Sequence, residues 1–257
     1  MAKNSGLDGK PVNAPNPAQD GASLKSALGQ IVLVFQGGGA LGAYKVGVYE
    51  ALHEAGIEPD WVIGKSIGAI NAALIAGNPV EHRLSRLEIF WRRVEHGDWL
   101  SLLSSAPSIG RFITNSVTVA SGLEAFFKPN PLAFLSAQMP LGPEKAGYYS
   151  TAPLAATLKD LVDEDAPNSG APRLAVGAAN ISTGDMRYFD SRESRLKLAH
   201  ILASGALPPA FPAVRIDDEL YWDSGILSNT PVEAVFDDKP RLNSLVFSVQ
   251  LWHPRGG

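Results

Sequence analysis

The sequence contains no cysteine among its 257 residues, and it has no long apolar run. Without cysteine the chain forms no disulfide bonds and no thiolate metal sites. No segment approaches the roughly 18 apolar residues of a membrane-spanning helix. The 22 basic and 26 acidic residues give a net charge of −4, which provides no general attraction to nucleic acid. These absences favour a cytoplasmic globular protein that does not bind nucleic acid.

The composition is that of one folded domain, with 45% hydrophobic and 19% charged residues. Residues 1–30 are rich in polar residues, Pro and Gly, and we expect a flexible leader there. Residues 31–257 are predicted to form a single α/β domain. Within it the pattern loosens over 96–147, which we interpret as a cap or lid. The sequence stops soon after the last predicted strand, and this raises the question of missing C-terminal elements.

Two strand–turn–helix units near the start of the domain indicate its fold class. The apolar run at 31–35 is typical of a strand that is covered on both faces. It leads through a glycine loop into a helical pattern, in which apolar residues recur at three- and four-residue steps from Leu41 to Ala55. A second strand, 61–63, leads through another turn into an apolar helix at 67–76. We therefore expect a three-layer α/β/α fold with a mostly parallel central sheet.

The turn after the second predicted strand contains the pentapeptide Gly64-Lys65-Ser66-Ile67-Gly68. It matches the G-x-S-x-G pattern of a nucleophile elbow, in which a strained turn between strand and helix lifts a serine hydroxyl clear of the backbone. The pattern is short, and a plain turn with Ser66 as a helix N-cap explains it equally well. Ser66 is therefore a candidate nucleophile whose support must come from the rest of the chain.

The glycine loop Gly37-Gly38-Gly39-Ala40-Leu41-Gly42 has two interpretations. It fits the G-x-G-x-x-G pattern of dinucleotide-binding folds, but these also need an acidic residue at the end of the second strand. Asp60 instead precedes that strand. Alternatively, consecutive glycines direct backbone N–H groups into one concavity, where they stabilise an oxyanion. We favour the oxyanion hole, because such a loop next to an elbow has a use for the serine.

Ser66 also needs a base, because a free hydroxyl is a poor nucleophile at neutral pH. His253 is one candidate, since the order Ser66, Asp223, His253 is the chain order of an α/β-hydrolase triad. Asp223 offers another route, because it follows an apolar strand at the sheet edge where α/β proteins place their sites. A turn aspartate that accepts backbone N–H bonds would look the same in sequence. The residues alone leave these alternatives open.

Taken together, three segments resemble the patatin-like phospholipases: the Gly37–Gly39 loop, the elbow at Ser66 and the turn Asp223–Gly225. The stretch Ala203–Pro212 is similar to the block before the family's aspartate. The resemblance extends from about Val32 to Leu251, and a bacterial branch of the family is the most similar.

The resemblance implies a lipid acyl hydrolase with a Ser–Asp dyad and no metal or organic cofactor. Ser66 would attack the ester carbonyl of a glycerolipid, Asp223 would accept its proton, and the N–H groups of Gly37, Gly38 and Gly39 would hold the oxyanion. An acyl-enzyme would form and be hydrolysed. The implied partners are a lipid or ester substrate and, transiently, a membrane surface. A non-catalytic protein that binds nucleotide or lipid through the glycine loop is the alternative from another class.

Two positions depart from the family pattern. Ser224 occupies the middle of the aspartate turn, where glycine is usual, and serine tolerates fewer backbone conformations. Leu41 stands where many members have arginine, a residue suited to a phosphate head group. Leucine cannot make forked hydrogen bonds, so we expect a neutral glycerolipid or simple ester at least as readily as a phospholipid.

Overall fold

A computed structural model describes residues 25–95, 128–129, 142–170, 172–227 and 230–251. The predicted leader (1–30) and cap (96–147) fall mostly outside these ranges, and both stay predictions. The strands are β1 (Gln30–Phe35), β2 (Trp61–Lys65), β3 (Lys128–Pro129), β4 (Tyr149–Ser150), β5 (Arg173–Asn180), β6 (Met186–Asp190), β7 (Val214–Ile216), β8 (Glu219–Asp223) and β9 (Ser244–Val249). The α-helices are α1 (Tyr44–Glu54), α2 (Ile67–Ala76), α3 (Val80–Glu95), α4 (Ala152–Leu161), α5 (Asp165–Asn168), α6 (Leu198–Ser204) and α7 (Glu233–Asp237).

Seven of these strands form one mixed sheet in the order β7-β8-β5-β2-β1-β9, with β6 paired to β5. The four strands β9, β1, β2 and β5 run parallel and carry its centre. The other three pairings, β5 with β6, β5 with β8 and β7 with β8, are antiparallel. Short turns connect β5 to β6 and β7 to β8. The second of these turns is tight, and Asp217 adopts a φ of 53° in it. The predicted α/β/α fold with mostly parallel strands is confirmed.

The carboxyl ends of β2 and β8 meet along β5. Residues 175–177 of β5 pair with both β2 and β6, so these two strands lie on opposite edges of β5. Further along, Ala178 and Ala179 pair with both β6 and β8. Strand β8 therefore lies on the same edge of β5 as β2. Because β2 is parallel and β8 antiparallel to β5, the two strands point toward each other. The carboxyl ends of β2 and β8 consequently face each other.

Helices cover both faces of the sheet. On one face, strand residues such as Leu33 and Val62 pack against α2, α3, α4 and α6. Helix α2 is buried at all ten positions, as its mostly small and apolar sequence predicts. On the other face, Val32 and Ile63 pack against residues of the α7 region, among them Val235. The central parallel strands are apolar on both sides for this reason.

The first helix follows the apolar pattern from Leu41 to Ala55 only in part. Val48 and Leu52 of this pattern pack against the core, whereas its first two residues do not. Instead a 3-10 turn, Gly39–Ala43, precedes α1, and Leu41 and Tyr44 are 46% and 65% exposed. The buried residues of α1 are Lys45 and Tyr49. Two apolar side chains are therefore exposed at the start of the helix, in and directly after the 3-10 turn.

Candidate active site

Ser66 lies in a strained turn between β2 and α2. Its backbone adopts φ 54° and ψ −130°, a conformation that costs a non-glycine residue about 1–3 kcal/mol. Glycines on both sides permit the turn. A Cβ at Gly64 would lie 2.3 Å from the carbonyl oxygen of Gly68, and one at Gly68 would lie 2.4 Å from that of Phe35. The Ser66 side chain makes no N-cap hydrogen bond, so the plain-cap interpretation does not describe this turn.

Asp223 ends β8 opposite this elbow. The Ser66 side chain lies close enough to the Asp223 carboxyl to lower its pKa, and the Gly225 N–H donates a hydrogen bond to this carboxyl at 2.7 Å. The aspartate is only 3% exposed. Burial raises the pKa of Asp223 to about 6, although the nearby Ser66 side chain, the Gly225 N–H and the charge of Lys65 oppose the rise. A carboxylate with this pKa is ionised at neutral pH and more basic than an exposed aspartate.

A hydrogen-bond chain joins the elbow to the aspartate turn. The backbone N–H of Ser66 donates to the hydroxyl oxygen of Ser204 at 3.0 Å, and the Ser204 hydroxyl donates to the carbonyl of Gly177 at 2.6 Å. The Ser224 hydroxyl donates to the same carbonyl at 3.1 Å. All three side-chain contacts converge where β2 and β8 meet on β5. Ser204 lies in the Ala203–Pro212 stretch that resembles the family, but nothing in the sequence pattern marks it as a site residue.

Serine in place of glycine does not distort the aspartate turn. Ser224 begins a 3-10 turn, Ser224–Ile226, and among the described non-glycine residues only Ser66 and Asp217 have a positive φ. The position therefore does not require glycine's conformational freedom. Its hydroxyl is fully buried and hydrogen-bonded to Gly177. The doubt raised by this departure from the family pattern is thereby removed.

The glycine loop begins at the same sheet edge as the elbow, because β1 and β2 are parallel neighbours with Phe35 opposite Gly64. Gly38 and Gly39 have φ values of 154° and 55°, and a Cβ at Gly38 would lie 2.5 Å from the Leu251 Cδ1 atom. In the described part of the chain, neither glycine donates its backbone N–H to another residue. These two N–H groups are thus available to a ligand beside the elbow.

The dinucleotide interpretation finds no support in the position of Asp60. This residue lies at the amino end of β2, where its carboxylate binds the Ile31 N–H at 2.8 Å and the Lys25 ammonium at 2.7 Å. An acidic residue that binds ribose would have to lie at the carboxyl end of this strand. That end carries Lys65 and Ser66 instead.

The described histidines have other partners. His53 pairs with Glu58 at 2.5 Å, and the His200 ring contacts the backbone of Lys197 and lies against Phe189. Burial lowers the pKa of His200. His82 is exposed on α3. His96 and His253 lie outside the described residues, so the triad with His253 stays a prediction.

None of the helices in the described ranges combines the length and the apolar character that a membrane span requires.

A buried strand, a strained serine and a facing buried aspartate together form a tight strand–turn–helix elbow in an α/β protein. The sequence model of the patatin-like phospholipases matches residues 33–236. The chain belongs to the patatin-like phospholipase family, as the resemblance in its motifs predicted.

Two curated relatives match shorter stretches. Triacylglycerol lipase ptl3 of Schizosaccharomyces pombe is 37% identical over 75 residues, which are 29% of this chain and 15% of that protein. Lysophospholipase nte1 of Aspergillus terreus is 59% identical over 44 residues, 17% of this chain and 3% of that protein. The chain thus spans only a small part of the length of these relatives. Among solved structures, VipD from Legionella pneumophila aligns with 84% of this chain and 49% of its own, at 18% identity and a TM-score of 0.44.

Proposed function

We propose that this chain is a lipid acyl hydrolase that cleaves carboxylic ester bonds of glycerolipids through a Ser66–Asp223 dyad. The observation that carries the proposal is a serine in a strained backbone conformation, at the end of β2, that faces a buried aspartate at the end of β8. Strain of this kind persists where the surrounding structure enforces it, and it concentrates at catalytic residues. Membership of the patatin-like phospholipase family supports the same reaction class.

The reaction begins when Ser66 Oγ attacks the ester carbonyl carbon and its proton passes to Asp223. The carbonyl electrons move to the oxygen, and the N–H groups of Gly38 and Gly39, with Gly37 beside them, stabilise this oxyanion. Collapse of the tetrahedral intermediate expels the alcohol part of the lipid, which takes the proton from Asp223. Water then attacks the acyl-enzyme, again with Asp223 as base, and releases the fatty acid.

Leu41 favours a neutral lipid as substrate. It lies in the 3-10 turn that follows the glycine loop, and together with Tyr44 it exposes apolar surface there. Such surface suits acyl chains and transient contact with a lipid surface, and it offers no cation to a phosphate. Both a triacylglycerol lipase and a lysophospholipase are among the relatives, which is compatible with either head group.

A lipid panel tests both the reaction and the substrate. Fatty acid release is measured from diacylglycerol, triacylglycerol, phosphatidylcholine and lysophosphatidylcholine in mixed micelles, with wild type and Ser66→Ala. We expect turnover of diacylglycerol at least equal to that of phosphatidylcholine, and none by the variant. A strong preference for phospholipid contradicts the neutral-lipid proposal, and equal release by both proteins contradicts the serine mechanism.

The alternative triad makes a different prediction for His253. If Asp223 is the base by itself, His253→Ala leaves turnover within about two-fold of wild type. A loss of several orders of magnitude would instead support a Ser66–Asp223–His253 hydrolase.

A further inference from the structure

Lys45 is a buried cation in the first turn of α1, directly after the glycine loop. Its side chain is completely inaccessible to solvent. The ammonium donates a hydrogen bond to the carbonyl oxygen of Gln36 and lies 5.8 Å from the centre of the Phe35 ring. No carboxylate in the described part of the chain forms a salt bridge with it. Burying an ammonium without a counter-ion is costly, so this position calls for a functional explanation.

The carbonyl that Lys45 binds belongs to the first peptide unit of the glycine loop. The C=O of Gln36 and the N–H of Gly37 are the two ends of one planar amide. This carbonyl also abuts the first turn of α2, because a Cβ at Gly68 would lie 2.8 Å from its oxygen. The Gln36 side chain accepts the Leu251 N–H at 2.6 Å, which fixes the same residue from the other side. Lys45 thus holds the loop at its root, behind the proposed oxyanion site.

We propose that Lys45 is a positioning residue of the oxyanion loop, whose ammonium fixes the Gln36–Gly37 peptide and places a positive charge behind the developing oxyanion. This inference rests on the proposed hydrolase function. Lys45 transfers no proton in the reaction. Its charge stabilises the tetrahedral intermediate more than the neutral ester, because only the intermediate carries negative charge. Lys45, Phe35 and Gln36 are all buried, so solvent screens this charge little.

The pH dependence of this role follows from the surroundings of Lys45. Burial lowers the pKa of Lys45 to about 7, and no charged group contributes to the shift. On the same helix Glu50 and Glu54 are exposed, and His53 contacts Glu58 at the far end of α1. Arg83 of α3 binds the same Glu58 carboxylate at 2.6 Å. The favourable charge is therefore present below about pH 7 and is lost above it.

The pH profile of kcat/KM should consequently have an ascending and a descending limb. Asp223 must be ionised to accept the proton, and its pKa is about 6, so kcat/KM rises with pH through this value. Lys45 must be protonated to support the oxyanion, so kcat/KM falls as pH rises through about 7. The base and the loop residue together produce a narrow, bell-shaped profile.

The experiment measures kcat and KM for a water-soluble p-nitrophenyl ester between pH 5 and 9, with wild type, Lys45→Met, Lys45→Gln and Lys25→Met. Lys45→Met removes both charge and hydrogen bond, and we expect kcat to fall by about ten-fold or more with KM little changed. Lys45→Gln keeps a donor for the Gln36 carbonyl, so it should recover part of kcat. Both Lys45 variants should lack the alkaline limb. Lys25→Met deletes a lysine paired to Asp60 at the amino ends of the strands and should reproduce the wild-type profile.

The result that overturns the inference is an alkaline limb that stays at its wild-type position in both Lys45 variants, even if their activity is uniformly lower. That outcome would give Lys45 a packing role only. Should Lys45→Met fail to fold, Lys45→Gln decides by the same criterion. Failure of the proposed function looks different, because the wild type itself would then hydrolyse no ester at any pH.

Discussion

Replacing Asp223 by asparagine should stabilise the fold while abolishing activity. Burial raises the pKa of this carboxyl from 3.8 to about 6. The folded protein therefore binds the proton more tightly than the unfolded chain, and stability falls as pH rises from about 4 to about 6. A shift of about two units corresponds to roughly 3 kcal/mol, and the full penalty applies above pH 6. The substituted amide carries no charge, so the variant avoids this penalty.

The expected gain in stability depends on pH in a defined way. The amide oxygen can still accept the Gly225 N–H, which Asp223 accepts at 2.7 Å. For a chain of this size, roughly 3 kcal/mol is equivalent to an increase in Tm of about 6–12 °C, as an upper bound. We expect this increase at pH 8 and almost none at pH 4, where the wild-type carboxyl is already protonated.

Thermal unfolding followed by circular dichroism at pH 4, 6 and 8 measures the effect. Asp160→Asn is a matched control, because Asp160 is 59% exposed and pairs with Arg93 on the surface. Its Tm should differ from wild type by at most a few degrees. A loss of stability in Asp223→Asn that is the same at pH 4 and pH 8 would refute the reasoning, since the aspartate would then stabilise the fold by its contacts alone.

Two further predictions concern the elbow. Ser204→Ala removes the acceptor of the Ser66 N–H. We expect kcat toward a soluble ester to fall about ten-fold or more with KM little changed. An unchanged kcat, or a rise in KM as large as the fall in kcat, would contradict a positioning role. Gly64→Ala should prevent folding or displace the elbow, because its Cβ would meet the Gly68 carbonyl oxygen at 2.3 Å. Gly47→Ala is the control, because Gly47 lies in open space within α1. In thermal unfolding, Gly47→Ala should raise stability by about 0.5–1 kcal/mol. Normal stability of the Gly64 variant would show that the turn is not as tightly packed as described.

The sequence predicts much of the parallel core because its signals are local. Apolar runs flanked by glycine predict a strand at 31–35 and a helix at 67–76, and the structure has β1 (Gln30–Phe35) and α2 (Ile67–Ala76) there. The apolar pattern from Leu41 to Ala55 is followed only in part, because periodicity does not distinguish a short 3-10 turn from a helical turn. Leu41 lies in such a turn, and its side chain is exposed.

The contacts between distant segments could not be derived from local pattern. That β8 meets β2 end to end on β5 depends on the pairing of β2 with β5 across more than 100 residues and on the separate pairing of β8 with β5. The residues alone left the base of Ser66 open, and the family resemblance decided for Asp223. Ser204 and Lys45 gave no usable signal. A serine near a helix end and a lysine in an amphipathic helix are both ordinary surface residues in most sequences. Only their burial distinguishes them.

The central claim is that Ser66 is a nucleophile activated by Asp223. Its most direct test is covalent labelling by a fluorophosphonate, with the modified residue located by peptide mass spectrometry in wild type, Ser66→Ala and Asp223→Asn. We expect a single adduct on Ser66 in the wild type, none in Ser66→Ala, and labelling of Asp223→Asn slowed by about a thousand-fold or more. Folded wild-type protein that is never labelled at Ser66, or a Ser66→Ala variant that reacts as fast as wild type, would contradict the account.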